Sequence, residues 1–205
     1  LSGLDTGGDE ETVVSDNTIA GVEGPAATGI SVADGSATTV DVTGNTITGL
    51  TADGAVALDL TGLSNTDNVV VESNEFDANG IHIDFTDPGD TSVLSGDDDA
   101  TTLRNDNTFE TLVYSTTNED DAFEDLSDTK LYGTIGGAHA DAGGSFIQVT
   151  PGTYEESDLD VGTNIVSTGS ADETIVTGEV ETDGFMNIGD ARVDGFTFQP
   201  VGDAN

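Results

Sequence analysis

"VTGNTI", residues 42–47, is the stretch on which the fold turns. It recurs as Val14-Ser15-Asp16-Asn17-Thr18-Ile19, as Val71-Glu72-Ser73-Asn74-Glu75-Phe76 and, more loosely, as Arg104-Asn105-Asp106-Asn107-Thr108-Phe109. The four asparagines stand 28, 29 and 33 residues apart. Between them lie short alternating segments, such as Val40-Asp41-Val42, Val56-Ala57-Leu58-Asp59-Leu60 and Ile81-His82-Ile83-Asp84-Phe85, bounded by Gly, Asp and Asn. That period-2 pattern between turn residues predicts strands, and helical spacing is absent from residues 1–112.

Short strands returning at a fixed interval predict a repeat architecture, in which each strand lies on its counterpart one repeat later at about 4.8 Å. Under that reading Asn17, Asn45, Asn74 and Asn107 occupy one turn of successive repeats. There an asparagine tolerates left-handed backbone angles and passes side-chain amide hydrogen bonds along the stack as a ladder. The "NTI.G" signature resembles that of the pectin-lyase-like and NosD-like families. The resemblance implies an all-β, right-handed parallel β-helix with three-strand coils of about 28 residues. It implies little about activity, because such folds host enzymes, tail spikes and adhesins alike.

The second half sharpens the resemblance. In "TIGGAHADAGGSFIQVTPGTYEE", residues 134–156, Ile135, Ala138, His139 and Ala142 share one helical face, and Gly143-Gly144 can end the helix. A short amphipathic helix leading into Phe146-Ile147, Val149 and Pro151-Gly152-Thr153-Tyr154 looks like the amino-terminal cap and first coil of such a β-helix. Strands are expected near 164–166, 174–176, 185–188 and 193–198. The chain thus reads as carboxy-terminal coils over 1–112, an acidic connector over 113–133 with one helical turn at 121–126, and a cap helix with amino-terminal coils over 134–205.

Charge bounds the partners. The 205 residues carry 41 Asp plus Glu against three Lys plus Arg, a formal net charge of −38. Lys130, Arg104 and Arg192 are the only cations other than histidine, so almost none of the carboxylates can be paired within the chain. Acids interleaved with regularly spaced Val, Ile, Leu and Phe suit a folded protein with an acidic skin, resembling those of extreme halophiles. Nucleic acid and anionic membranes are repelled. There is no cysteine, and no apolar run approaches the length of a membrane span. Leu rather than Met at position 1 suits a processed or excised segment.

The chemistry-bearing residues are few. A β-helix lyase needs a basic catalytic residue, and a hydrolase needs clustered Asp beside His and a cation. Three scattered basic residues do not supply these, so no catalytic residue is expected. His82 alternates with Ile81 and Ile83 and is expected to face outward, whereas His139 is expected to pack on the cap helix. Asp97, Asp98 and Asp99, with Asp87 and Asp90 nearby, could hold calcium through oxygen ligands, but a solvated acidic loop is the favoured reading. No other cofactor is called for.

These features predict an extracellular structural protein of a halophile surface filament, fibre or sheath. The rivals are a carbohydrate-active enzyme or sugar-binding adhesin, and a viral tail fibre. The expected partners are further copies of the chain, coaxial and head to tail, and surface glycans. Val193-Asp194-Gly195-Phe196-Thr197-Phe198 aligns position for position with residues 14–19, with Phe196 in the asparagine slot. Following residue 205 directly by residue 1 would place Asn17 26 positions after Phe196 and create the glycosylation acceptor Asn205-Leu-Ser. Leu1, Leu4, Val13, Val14, Ile19, Val193, Phe196, Phe198, Val201 and Asn205 are therefore the expected assembly surface.

Overall fold

The computed structural model describes residues 12–33, 40–52, 54–62, 69–85, 100–117, 130–141, 146–156, 159–179, 186–188 and 191–201. It is predominantly β-strand, with two short helices among these residues. The chain divides into two compact units, residues 1–110 with 129–131, and residues 111–128 with 132–205.

In the first unit the strands follow one another in threes: β1 (Thr12–Ser15), β2 (Thr18–Ala20), β3 (Thr28–Ala33); β4 (Val40–Thr43), β5 (Thr46–Thr48), β6 (Val56–Gly62); β7 (Val69–Glu72), β8 (Glu75–Asp77), β9 (Ile81–Asp84). Each pairs in parallel with its counterpart in the next set. Val14 lies beside Val42 and Val42 beside Val71, Ile19 beside Ile47 and Ile47 beside Phe76, Ile30 beside Leu58 and Leu58 beside Ile83. Helix α1 (Ala100–Asp106) and β10 (Thr108–Phe109) follow, and β10 extends the second sheet by placing Phe109 beside Phe76. Alternation supplies the core: β4 buries Val40 and Val42 and leaves Asp41 and Thr43 half-buried. Each fully buried branched or aromatic side chain contributes on the order of 1.5–3 kcal/mol.

The second unit contains β11 (Val113–Thr116), Tyr132 from β12 (Lys130–Tyr132), helix α2 (Ile135–Asp141), and then β13 (Phe146–Val149), β14 (Gly152–Glu155), β15 (Leu159–Val161), β16 (Asn164–Ser167), β17 (Thr174–Glu179), β18 (Met186–Ile188), β19 (Val193–Asp194) and β20 (Thr197–Val201). Here β13 pairs with β16 and β16 with β19, β14 with β17 and β17 with β20, and β15 with β18, all in parallel. The exception is β11, antiparallel to both β12 and β13, so the sheets are mixed.

Two expectations are corrected. Residues 113–133 are not a plain connector, because they hold β11 and β12. All four residues of β11 are buried, so there is no polar-apolar alternation to betray the strand. The helical turn expected at 121–126 lies outside the described residues. The first half does contain a helix, α1, which Leu103 anchors by its burial. It sits between Asn74 and Asn107, where the spacing is longest.

Candidate assembly interface and the asparagine column

Asn17, Asn45 and Asn74 each follow the end of one strand and precede the next, Asn45 between β4 and β5 for example, whereas Asn107 follows α1 and precedes β10. The chain reverses at the residue before each of the first three: Asp16, Gly44 and Ser73 have φ of 56°, 65° and 58°. The left-handed position is therefore the preceding residue, which corrects the expectation that the asparagine itself adopts it. Glycine takes this conformation freely and Asp at modest cost. Freed of that role, the asparagine side chain turns inward and joins the repeats.

Asn17 Nδ2 donates to Asn45 Oδ1 (2.9 Å), Asn45 Nδ2 to Asn74 Oδ1 (2.9 Å) and Asn74 Nδ2 to Asn107 Oδ1 (2.9 Å). Every one of these Oδ1 atoms also accepts the backbone N–H of the asparagine one repeat earlier. Each Nδ2 from Asn45 onward reaches back to a carbonyl of the preceding repeat, at Val14, Val42 and Val71 in turn. Asn107 Nδ2 also donates to Leu103 O and so ties off the last turn of α1. Asn45, Asn74 and Asn107 are buried; Asn17, at the edge, is half-buried. Asn79 does similar work at the next corner, where its Oδ1 accepts from Leu50 N and its Nδ2 donates to Ile47 O. It is visible in the sequence only as one more Asn beside Gly80.

Beside Asn79 lies His82, which is completely buried rather than outward. Its ring lies 5.9 Å from Phe76 and 5.5 Å from Phe109, whose own rings stack at 5.2 Å. The reason is that this sheet is covered on both faces: Ala57 and Leu58 are both buried, as are Ile81, His82 and Ile83. Alternation therefore cannot say which way His82 points.

The expected interface residues fall on strand edges. β1 and β2 end their sheets at one side of the first unit, and β19 and β20 end theirs in the second. Val13 (53% exposed) and Phe198 (38%) are the exposed large apolar residues among those described. Val14 is buried, and Ile19, Val193 and Phe196 are half-buried. Val201 closes β20 opposite Glu179. Leu1, Leu4 and Asn205 lie outside the described residues, as do Asp97, Asp98 and Asp99. Among the described residues no group of His, Asp or Glu is arranged to hold a metal ion. No helix among them is long and apolar enough to cross a membrane.

The opposite end of the second unit is partly covered. β11 covers the edge of β13, and α2 buries Ile135 and Ala138. Glu156 fastens that helix, its Oε1 accepting from Ile135 N and its Oε2 from Gly136 N (3.1 Å). His139 is half-buried, and its Nε2 accepts from Gly162 N at 3.4 Å. Burial pushes the Glu156 carboxyl above its ordinary value of 4.5, against the pull of the two N–H donors. Glu156→Ala should cost about 2–4 kcal/mol by stranding two N–H groups at the helix start. Because the folded-state value is raised, this group's stabilisation is full below the unfolded value of 4.5 and is lost as pH rises through the folded one. Wild type should therefore gain stability over Glu156→Gln as pH falls from about 7 toward 4.5. Thermal melts of the two proteins in high salt test this, and a pH-independent difference would refute it.

No family model, no curated protein and no solved structure matches the chain, so no comparison places it in the pectin-lyase-like or NosD-like families.

Proposed function

We propose that both units are segments of parallel β-helix, and that the chain is an extracellular structural protein of a salt-loving organism whose copies join end to end into a filament, fibre or sheath. The carrying observation is the asymmetry of each unit. One end carries a cover, α1 and β10 in the first and β11 and α2 in the second, although β7 and β14 there have no outer partner strand among the described residues. At the other end, among the described residues, β1 and β2 or β19 and β20 have no outer partner strand. Sheet-end strands with exposed Val13 and Phe198 invite another strand, and a protein that stays monomeric blunts such edges. Scarcity of cations suits a rod that does no chemistry. No bound cofactor enters this reading.

The purified chain in multimolar salt should sediment as concentration-dependent oligomers and appear as rods by electron microscopy. A monomer at every concentration and salt level would overturn the proposal, and so would polysaccharide cleavage under the same conditions.

A further inference from the structure

We propose that β19 and β20 of one copy lie in parallel on β1 and β2 of the next, in the register Val193–Val14, Phe196–Asn17, Thr197–Thr18 and Phe198–Ile19, with the neighbour's Asn17 continuing the asparagine column across the joint. This rests on the end-to-end reading and gives it an atomic register.

The two edges carry the same backbone device. β1 and β2 are separated by Asp16 at φ 56° and then Asn17, and β19 and β20 by Gly195 at φ 83° and then Phe196. Gly195 lies tight against Ser167, so that a Cβ there would approach the Ser167 Cβ to 2.9 Å. The reversal thus follows the strand beneath it closely, as Gly44 follows Asp16.

The hydrogen-bond groups also complement one another. Within the first unit each slot residue's N–H goes to the next asparagine's Oδ1, and the residue after each later asparagine donates back to the preceding slot's carbonyl, as Thr46 N does to Asn17 O and Glu75 N to Asn45 O. Among the described residues Asn17 Oδ1 receives no donor, and Phe196 N has no acceptor. The register supplies both, with Phe196 N donating to Asn17 Oδ1 and Thr18 N to Phe196 O. Asn17 Nδ2 then reaches Val193 O, as Asn45 Nδ2 reaches Val14 O. Phenylalanine in the slot has no amide to pass on, so the column ends there. Pro200, with no N–H to give, limits the match to residues 197–199 against 18–20.

Packing agrees with this polarity. An apolar recess in the second unit runs from Ile135 of α2 past Leu159, Ile165 and Val176 to Val193, Phe196 and Phe198 at the β19–β20 edge. A neighbour's Val14 and Ile19 would stand over it as Val42 and Ile47 stand over Val14 and Ile19 within the chain. Those two residues head columns that already run Val14-Val42-Val71 and Ile19-Ile47-Phe76, so the second copy extends an existing core.

Thr18 and Thr197 would face each other at the parallel-strand spacing of about 4.8 Å, within disulfide reach. The chain has no cysteine, so the background is clean. The double variant Thr18→Cys/Thr197→Cys, mildly oxidised in multimolar salt, should give a ladder of disulfide-linked multimers. Each single variant should give none, and Thr18→Cys/Gln199→Cys, two residues out of register, about tenfold less. Asn17→Leu, with its circular dichroism unchanged, should raise the concentration needed for assembly about tenfold. Rods that form but cross-link only in the offset pair, or through single cysteines, overturn the register and leave the end-to-end reading standing. A chain that stays monomeric, or that cross-links only within itself, overturns both.

Discussion

Transferring the protein from about 3 M salt to 10 mM salt should unfold it, with loss of the β-strand circular dichroism signal. The accessible surface is 9792 Å² and the formal net charge −38, so each unbalanced charge has on the order of 260 Å² to itself and neighbours about 16 Å away. At 16 Å in water two unit charges repel by roughly 0.26 kcal/mol. The Debye length is about 3 Å at 1 M and about 30 Å at 0.01 M, so screening removes nearly all of this in strong salt and less than half in dilute buffer. Around a hundred neighbouring pairs then sum to on the order of 15 kcal/mol, as large as the whole stability of an ordinary domain. The unfolded chain keeps part of that repulsion at greater separations, and the remainder still exceeds what a thin core can spare. Lowering the pH toward 4 in dilute buffer should restore the fold by protonating carboxylates, which separates charge repulsion from any specific ion requirement. An unchanged spectrum at 10 mM salt and neutral pH would refute the argument.

The parts of the fold legible in the sequence are those in which one residue type had to satisfy one geometry at every repeat. Val14, Val42 and Val71 align because each faces the same core, and the asparagines align because a buried turn needs a side chain that both donates and accepts. What escaped the sequence lay where that constraint doubled or vanished. His82 and β11 sit where both faces are covered, so polarity no longer alternates with direction. α1 is too short for its periodicity to show, and among the described residues Leu103 and the Asn107 amide anchor it. Glu156 is one acid among 41 acidic residues, and only the position of the Ile135 and Gly136 N–H groups distinguishes it. The left-handed residue was misplaced by one because Asp, Gly and Ser share that position without a common side chain.

The asparagine column sets the second large effect. Asn45→Ala should destabilise the first unit by about 3–5 kcal/mol, measured by denaturant unfolding at constant high salt. Its Nδ2 serves Val14 O, Thr43 O and Asn74 Oδ1, while its Oδ1 receives both the backbone and the side-chain N–H of Asn17. The site is buried, so alanine strands polar groups where water cannot reach them, at roughly 1–3 kcal/mol for each group left unmatched. Asn17→Ala removes donors from a half-buried edge where no donor uses Oδ1, and should cost only about 1 kcal/mol. Asn45→Asp keeps the shape and the acceptor but turns an oxygen toward Val14 O, Thr43 O and Asn74 Oδ1, so it should be at least as damaging as alanine even with surface charge fully screened. If the two alanine variants cost the same, the stabilisation comes from the turns themselves, and the hydrogen-bonded column is incidental to how the repeats hold together.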